Sequence, residues 1–355
     1  MPLSTVQKKT CWILSNAYQG TINQAMGLAE ALAGSFSPEI TLDLHLKIIK
    51  LRPFWYYTAP YFSWFKRYCL EPLSCDISSP WPDYVIACGR QSVLPALFIK
   101  EQWEKEGVSD QKKLIFLQNP LSHYKKFDVI VCPAHDQIAG NNVYPMLGAP
   151  HILNDKKLKG AHSNFLSLFQ GFQNPKIAVI LGGPNKYYDM DMGFVEKLCS
   201  DLKALQEKHG ASLLVTTSRR TPRDVVDVLK AMLTHNAYLY VPGESVDPNP
   251  YLGILAHADV ILVSCESISM VSEACFTTKP VYLLKLSQKK PGFFKRLLGR
   301  KSGGMAKFHH FQKDLLRIKR VEWFLGDVDF EEEKVSLREG ERVIEEITQY
   351  LTVYS

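Results

Sequence analysis

No apolar run in this chain approaches the roughly 20 residues that a bilayer span requires, so a membrane-spanning protein is not expected. The N-terminus, MPLSTVQKKTCWIL, enters a strand too soon for a signal peptide: its apolar stretch is short and no small-residue cleavage site follows. The eight cysteines have no paired spacing. Six of them, Cys11, Cys88, Cys132, Cys199, Cys265 and Cys275, sit in or beside apolar segments, where small buried thiols are common. Neither a disulfide framework nor a zinc site is expected, and a reducing cytoplasm is. Motifs of nucleic-acid-binding folds are missing as well. What is present is an ordinary globular composition, 46% apolar and 22% charged. At 355 residues the chain exceeds a comfortable single core, so two domains are the default.

Acidic residues are also absent between Lys285 and Lys307, where eight basic ones fall, more than the whole net charge of +6. Such a patch suits anionic lipid headgroups, a phosphorylated ligand or a polyanion. Phe293, Phe294, Leu297 and Leu298 interleave with the bases, which favours a membrane surface over nucleic acid. A solvated loop is the other reading. The expected location is therefore cytoplasmic, with peripheral attachment at the inner face of the membrane. Residues 52–70 are dense in aromatics, with Arg52, Lys66 and Arg67 at the ends. That face fits a membrane interface, a cap on the core or a lining of the acceptor side. A cap on the core or a cleft lining is the expected outcome, because aromatic-rich insertions usually bury themselves against something.

Short β-branched runs alternate with helical patterns, the signature of parallel βαβ units. Strands are expected over 11–14, 40–46, 84–88, 114–117 and 129–132, with helices over 22–33 and 92–102. The polar stretch 156–175, with Gly160 and Gly171, reads as a linker. The rhythm then restarts with strands over 176–181, 212–216, 238–241 and 260–263. Helices are expected over 191–207, 223–233 and 250–257. The expected domains are 1–155 on the acceptor side and 176–330 on the nucleotide-sugar side. Residues 331–355 would hold a helix that returns to the first domain. Two Rossmann-like sheets facing across a cleft make the GT-B architecture.

The segment ADVILVSCESISMVSEACFTTKPVYLL places a Ser/Glu-rich turn, including Glu266, Ser267 and Ser269, at the carboxyl edge of a strand. Ligands bind at that edge in parallel α/β sheets, and the helix that follows, with Met270, opens on free backbone N–H groups that form an anion site. Glu273 is placed to accept hydrogen bonds from sugar hydroxyls. Gly182 and Gly183, followed by Asn185 and Lys186, can bring backbone and positive charge to a diphosphate. Ser218, Arg219 and Arg220 close the next strand at the same edge, with Thr221 as the cap of the following helix; surface arginines at a helix start are the alternative. In the first half, Gln19 and Gly20 follow the first strand, with Gly20 free to take positive φ and Thr21 or Asn23 available as caps. With Gly89 and Arg90 they form the cleft or acceptor side. That first loop holds no His, Asp or Glu, so His135 and Asp136 are the acid/base candidates, with His123 at another strand end. Asp189-Met190-Asp191 matches a metal-holding D-x-D pattern but fits the negative first turn of a helix better. No metal or other cofactor is expected.

Taken in order, GTINQAMGLAEAL, Gly89-Arg90, CPAHD, LGAP, ILGGPNK, TTSRRTP, NPYLGILAHADVILV, ESISMVSEACFTTKPVYLL and KFHHFQKDL resemble the bacterial branch of the elongated-mitochondria fission-factor family. Its members resemble GT-B glycosyltransferases. The segment CESISMVSEA is also similar to the donor site of the lipid-linked N-acetylglucosaminyltransferase of peptidoglycan synthesis. That resemblance implies that Glu273 holds the ribose while Ser267, Ser269 and Met270 surround the diphosphate and base. The first loop departs from that transferase, lacking its glycine cluster and histidine. The expected activity is metal-independent transfer from a nucleotide-sugar donor to an envelope glycan or lipid acceptor. The alternatives are a nucleotide-sugar epimerase and, because plant relatives are division adaptors, a non-enzymatic membrane-associated adaptor.

Overall fold

Strands that read as unbroken apolar runs are those covered on both faces, as in parallel sheets flanked by helices. The computed structural model describes residues 6–36, 39–62, 66–72, 74–244, 248–289 and 303–353. It divides into an N-terminal unit, residues 1–152 with 338–355, and a C-terminal unit, residues 153–337.

The N-terminal unit runs β1 (Gln7–Ser15), α1 (Gln19–Ser35), β2 (Ile40–Ile48), α2 (Pro53–Thr58), β3 (Tyr84–Cys88), α3 (Val93–Glu106), β4 (Lys113–Leu117), β5 (Val129–Pro133) and β6 (Val143–Met146). Its six strands are all parallel in the order β2-β1-β3-β4-β5-β6. Side chains alternate across the sheet. Trp12, Leu14, Val85, Ala87 and Phe116 pack with α3 on one face. Cys11, Ile13, Ile86, Cys88 and Leu117 pack with α1 on the other. The chain's last helix, Glu339–Val353, also belongs here. Its Val343, Ile347 and Leu351, spaced four apart on one stripe, are buried against the α1 face.

The C-terminal unit runs α4 (Asp155–Asn164), α5 (Leu166–Phe169), β7 (Lys176–Ile180), β8 (Tyr188–Asp189), α6 (Met192–His209), β9 (Ser212–Thr216) and α7 (Arg223–Met232). It continues with β10 (Ala237–Tyr240), α8 (Tyr251–His257), β11 (Val260–Ser264), α9 (Ile268–Phe276), β12 (Val281–Leu284), β13 (Ser287–Gln288), α10 (Gly303–Arg317) and β14 (Glu322–Trp323). Its parallel sheet has the order β10-β9-β7-β11-β12-β14, with β8 and β13 as a separate antiparallel pair.

Two expectations need correction. Most of the stretch read as a linker, 156–175, is helical. Asn154 caps α4 by accepting the Lys157 amide at 2.8 Å, and Phe169 is fully buried against Tyr238 and His257. Among the described residues of 52–70 the rings stay largely exposed: α2 has no buried side chain, and the segment reaches the core through Ala59 and Cys69, with Trp55 and Leu70 packed on it.

Candidate functional site

In an open parallel sheet, the point where strand order reverses leaves a crevice between two loops that diverge to opposite faces. In the C-terminal unit that point lies between β7 and β11, and its two loops carry Gly182-Gly183 and Glu266-Ser267. They are tied together. The Gly182 amide donates to Ser264 Oγ at 2.8 Å and the Gly183 amide to Glu266 Oε1 at 2.9 Å. Asn185 Nδ2 donates to the Glu266 carbonyl at 3.3 Å, while its Oδ1 accepts the amides of Tyr187 and Tyr188. The loop after β9 closes on the same turn. Ser218 Oγ and Thr221 Oγ1 both donate to the Gly182 carbonyl, and Arg220 Nη1 donates to the Gly183 carbonyl at 3.0 Å.

This network reassigns several residues. The glycine amides expected to meet a diphosphate are already committed to Ser264 and Glu266. The glycines are required by crowding: a Cβ on Gly182 would lie 1.8 Å from Glu266 Oε1, and one on Gly183 would lie 2.3 Å from the Arg220 carbonyl. Thr221 is not a helix cap; its hydroxyl holds the turn, and Pro222 occupies the cap position of α7 without a side-chain bond. Glu266 is a buried carboxylate flanked by Arg220 Nη2 at 3.5 Å, and its buried Oε2 meets no hydrogen-bond partner among the described residues. Gln312 on α10 supports the loop by donating to the Cys265 carbonyl at 3.0 Å.

Of the remaining donor candidates only two face outward. Lys186 and Arg219 are exposed. Ser267 caps α9 by accepting the Met270 amide at 3.5 Å, and Ser267, Ser269 and Met270 are half-buried. Glu273, in the second turn of α9, is 7% exposed and accepts the Tyr251 hydroxyl at 2.5 Å. Burial pushes its carboxyl up to about 7, against the opposing effect of the Tyr251 bond. Burial, then the neighbouring Glu273, push the Tyr251 phenol well up. Sequence reasoning missed Tyr251, Ser264 and Gln312. Tyr251 lies within NPYLGILAHADVILV, Ser264 within ADVILVSCESISMV and Gln312 within KFHHFQKDL, each in a motif whose other residues drew the reading.

Asp191 is the cap of α6, accepting the Phe194 amide at 2.8 Å, and Ser287 adds a second bond to it. Both bonds hold its carboxyl below the usual range. The basic segment between Lys285 and Lys307 falls largely on residues 290–302, outside the described residues.

In the N-terminal unit strand order reverses between β1 and β3. Asn16 and Thr21, joined by a 2.5 Å bond, approach Gly89, whose φ is +85°. Gln19 bonds Asn23 at 2.7 Å. Gly20 lies inside α1 and has no positive φ, and neither Thr21 nor Asn23 caps the helix, because Tyr18 takes the cap position. Arg90 donates to the Tyr56 carbonyl at 2.9 Å. His135 and Asp136 form a turn after β5, two strands beyond the switch-point loop after β3. His123, after β4, bonds Ser122 Oγ through Nδ1 at 2.7 Å. Burial and then Lys66 and Lys126 hold its ring below the usual value.

The profile of the mitochondrial fission ELM1 family matches residues 19–351. The chain belongs to that family. It is 28% identical over 306 residues to the uncharacterized protein RP120 of Rickettsia prowazekii, covering 77% of this chain and 82% of that one. It is 28% identical over 226 residues to the mitochondrial fission protein ELM1 of Arabidopsis thaliana, covering 57% of this chain and 51% of that one. This ELM1-family chain therefore spans about half the length of the Arabidopsis protein. Among solved structures, UDP-GlcNAc 2-epimerase of Methanocaldococcus jannaschii in complex with UDP-GlcNAc and UDP aligns with a TM-score of 0.53 at 12% identity. The alignment covers 98% of this chain and 100% of that one. The Neisseria meningitidis enzyme bound to UDP-GlcNAc aligns at 0.50 and 13% identity, with 98% and 100% covered. The fold is thus mixed α/β, with two parallel six-stranded sheets of the GT-B type.

Proposed function

We propose that this ELM1-family chain is a metal-independent glycosyltransferase that holds a nucleotide-sugar donor on its C-terminal unit. Its acceptor is an envelope glycan or lipid at the cytoplasmic face of the membrane. The observation that carries the reading is the loop cluster at the β7/β11 switch point, where ligands bind in open α/β sheets. It is bordered by exposed Lys186 and Arg219 and by the half-buried start of α9, the helix that carries the buried Glu273 in its second turn. Solved proteins of the same fold hold UDP-GlcNAc.

In this reading the pentose hydroxyls donate to Glu273, and the pyrophosphate meets the first amides of α9 around Ser269 and Met270. Lys186 and Arg219 add charge. Gly182, Gly183, Asn185, Ser218, Arg220, Glu266 and Ser267 shape the loops around it. As the sugar–phosphate bond breaks, negative charge grows on the leaving diphosphate, and the helix start and the two cations stabilise it. They supply the positive charge that a divalent ion would bring, so no metal is assigned. His135 and Asp136 remain the acid/base candidates for activating the acceptor, with Gln19, Gly20, Gly89 and Arg90 on the acceptor side.

Calorimetric titration with a panel of nucleoside diphosphate sugars tests the reading. Arg219→Ala and Glu273→Ala should each weaken binding at least about tenfold, or 1.4 kcal/mol; unchanged affinity removes the site. A donor isomerised in the absence of acceptor would identify an epimerase. The name of the Arabidopsis relative favours a second reading, a non-enzymatic division adaptor. That reading predicts no turnover and a nucleotide site dispensable in cells.

A further inference from the structure

Residues 50–70 contain nine aromatic side chains and four basic ones, Lys50, Arg52, Lys66 and Arg67, with no acidic residue. The segment leaves the N-terminal sheet after β2 and returns through a pinned neck. Leu51 and Leu70 form an isolated antiparallel bridge, the Arg52 amide donates to the Cys69 carbonyl at 2.9 Å, and Arg52 Nε donates to the Leu70 carbonyl at 2.9 Å. Leu51, Ala59 and Cys69 are buried at the core, with Trp55 and Leu70 packed on it. The opposite face is open: Phe54, Tyr57 and Tyr61 are 51%, 78% and 69% exposed. The plate is built, not loose. Phe54 meets Trp55 and Phe62 edge-on at centroid distances of 5.2 and 5.0 Å, and Tyr56 meets Tyr57 at 5.2 Å. Arg90 and Ser122, from the loops after β3 and β4, donate to the carbonyls of Tyr56 and Pro60 at 2.9 and 3.4 Å. The plate therefore stands at the carboxyl edge of the N-terminal sheet.

A soluble chain gains nothing by holding ordered rings in water, and contiguous exposed apolar patches mark interaction sites. Tyr, with an apolar body and a polar tip, is the side chain that membrane–water interfaces select. Lys66 is paired with Glu101 on α3, whereas Lys50 and Arg52 are exposed at the neck and add attraction to an anionic surface. We infer that the aromatic loop, through Phe54, Tyr57 and Tyr61, docks this chain on an anionic phospholipid bilayer, with the carboxyl-edge loops of the N-terminal sheet held next to the headgroups. This deepens the proposed transfer to a membrane-borne acceptor, but vesicle binding needs no nucleotide and stands or falls without it.

Co-sedimentation of the full chain with vesicles of phosphatidylcholine and phosphatidylglycerol in equal parts tests the inference. The wild type should sediment with these vesicles, far less with pure phosphatidylcholine, and less as salt rises. The double substitution Tyr57→Ser, Tyr61→Ser removes two rings that do not enter the core, so melting should be unchanged while partitioning falls about tenfold. The same fall should persist when the eight bases between Lys285 and Lys307 are replaced by Gln, which separates the loop from that segment. A wild type that ignores the anionic vesicles, equal binding to neutral ones, or a double variant that sediments like the wild type overturns it. A chain that binds nucleotide sugars but not vesicles overturns this inference alone.

Discussion

Gly183 looks in sequence like a phosphate-binding glycine, and in the fold it is a packing glycine. Its amide serves Glu266, and its missing Cβ makes room for the Arg220 backbone. Gly183→Ala should therefore cost about 1–3 kcal/mol through overpacking, read as an earlier urea midpoint, even where no ligand is present. The motif was legible, and its role was not, because a role depends on which neighbours consume the donors. Glu273 carries a pH signature. Unfolded, its carboxyl titrates near 4.5; folded, near 7. Between those values the unfolded state holds fewer protons, so stability falls as pH rises from 4.5 to 7 and is level above that. The full loss is on the order of 3 kcal/mol. Glu273→Gln keeps an acceptor for Tyr251 and should flatten this slope in denaturation curves between pH 4.5 and 8. In the proposed reading a pentose diol donates to the charged form, so nucleotide affinity of the wild type should rise with pH through 7.

At the scale of elements, α9 is held at both ends. Ser267 caps its start, and Arg320, 3% exposed, donates to the carbonyls of Ala274, Cys275, Thr277 and Lys279 around its end. The Ala274 and Cys275 carbonyls also accept from Thr277 and Leu337, so Arg320→Ala should chiefly strand those of Thr277 and Lys279, at about 1–3 kcal/mol each, and Arg320→Lys should restore only part of the loss, lacking the planar fork. Loss of the C-terminal unit's cooperative melt is the expected readout. Central strands such as β3, β7, β9 and β11 were legible because burial on both faces makes them apolar and β-branched. The edge strands β6 and β14 were not: β6 is interrupted by Pro145 and largely unburied, and β14 has only two residues. The helix α4 was hidden by its polarity; the Asn154 cap and its packing beside α8 specify it.

At the scale of the molecule, the N-terminal unit is discontinuous and is completed by the last helix. Removing Glu339–Val353 strips Val343, Ile347 and Leu351 from its core. At about 1.5–3 kcal/mol per buried side chain, the loss rivals a whole domain's stability. Scanning calorimetry of the truncated chain should show the N-terminal unit's transition lost or sharply lowered and that of the C-terminal unit retained. The central claim is that the C-terminal unit recognises an activated sugar at the β7/β11 switch point. Hydrogen–deuterium exchange of the full chain with and without saturating nucleoside diphosphate sugars tests it most directly. Slowed exchange should concentrate in peptides covering Ser218 to Pro222 and Glu266 to Glu273. Binding without protection in those peptides, or no binding across the panel, would contradict the account.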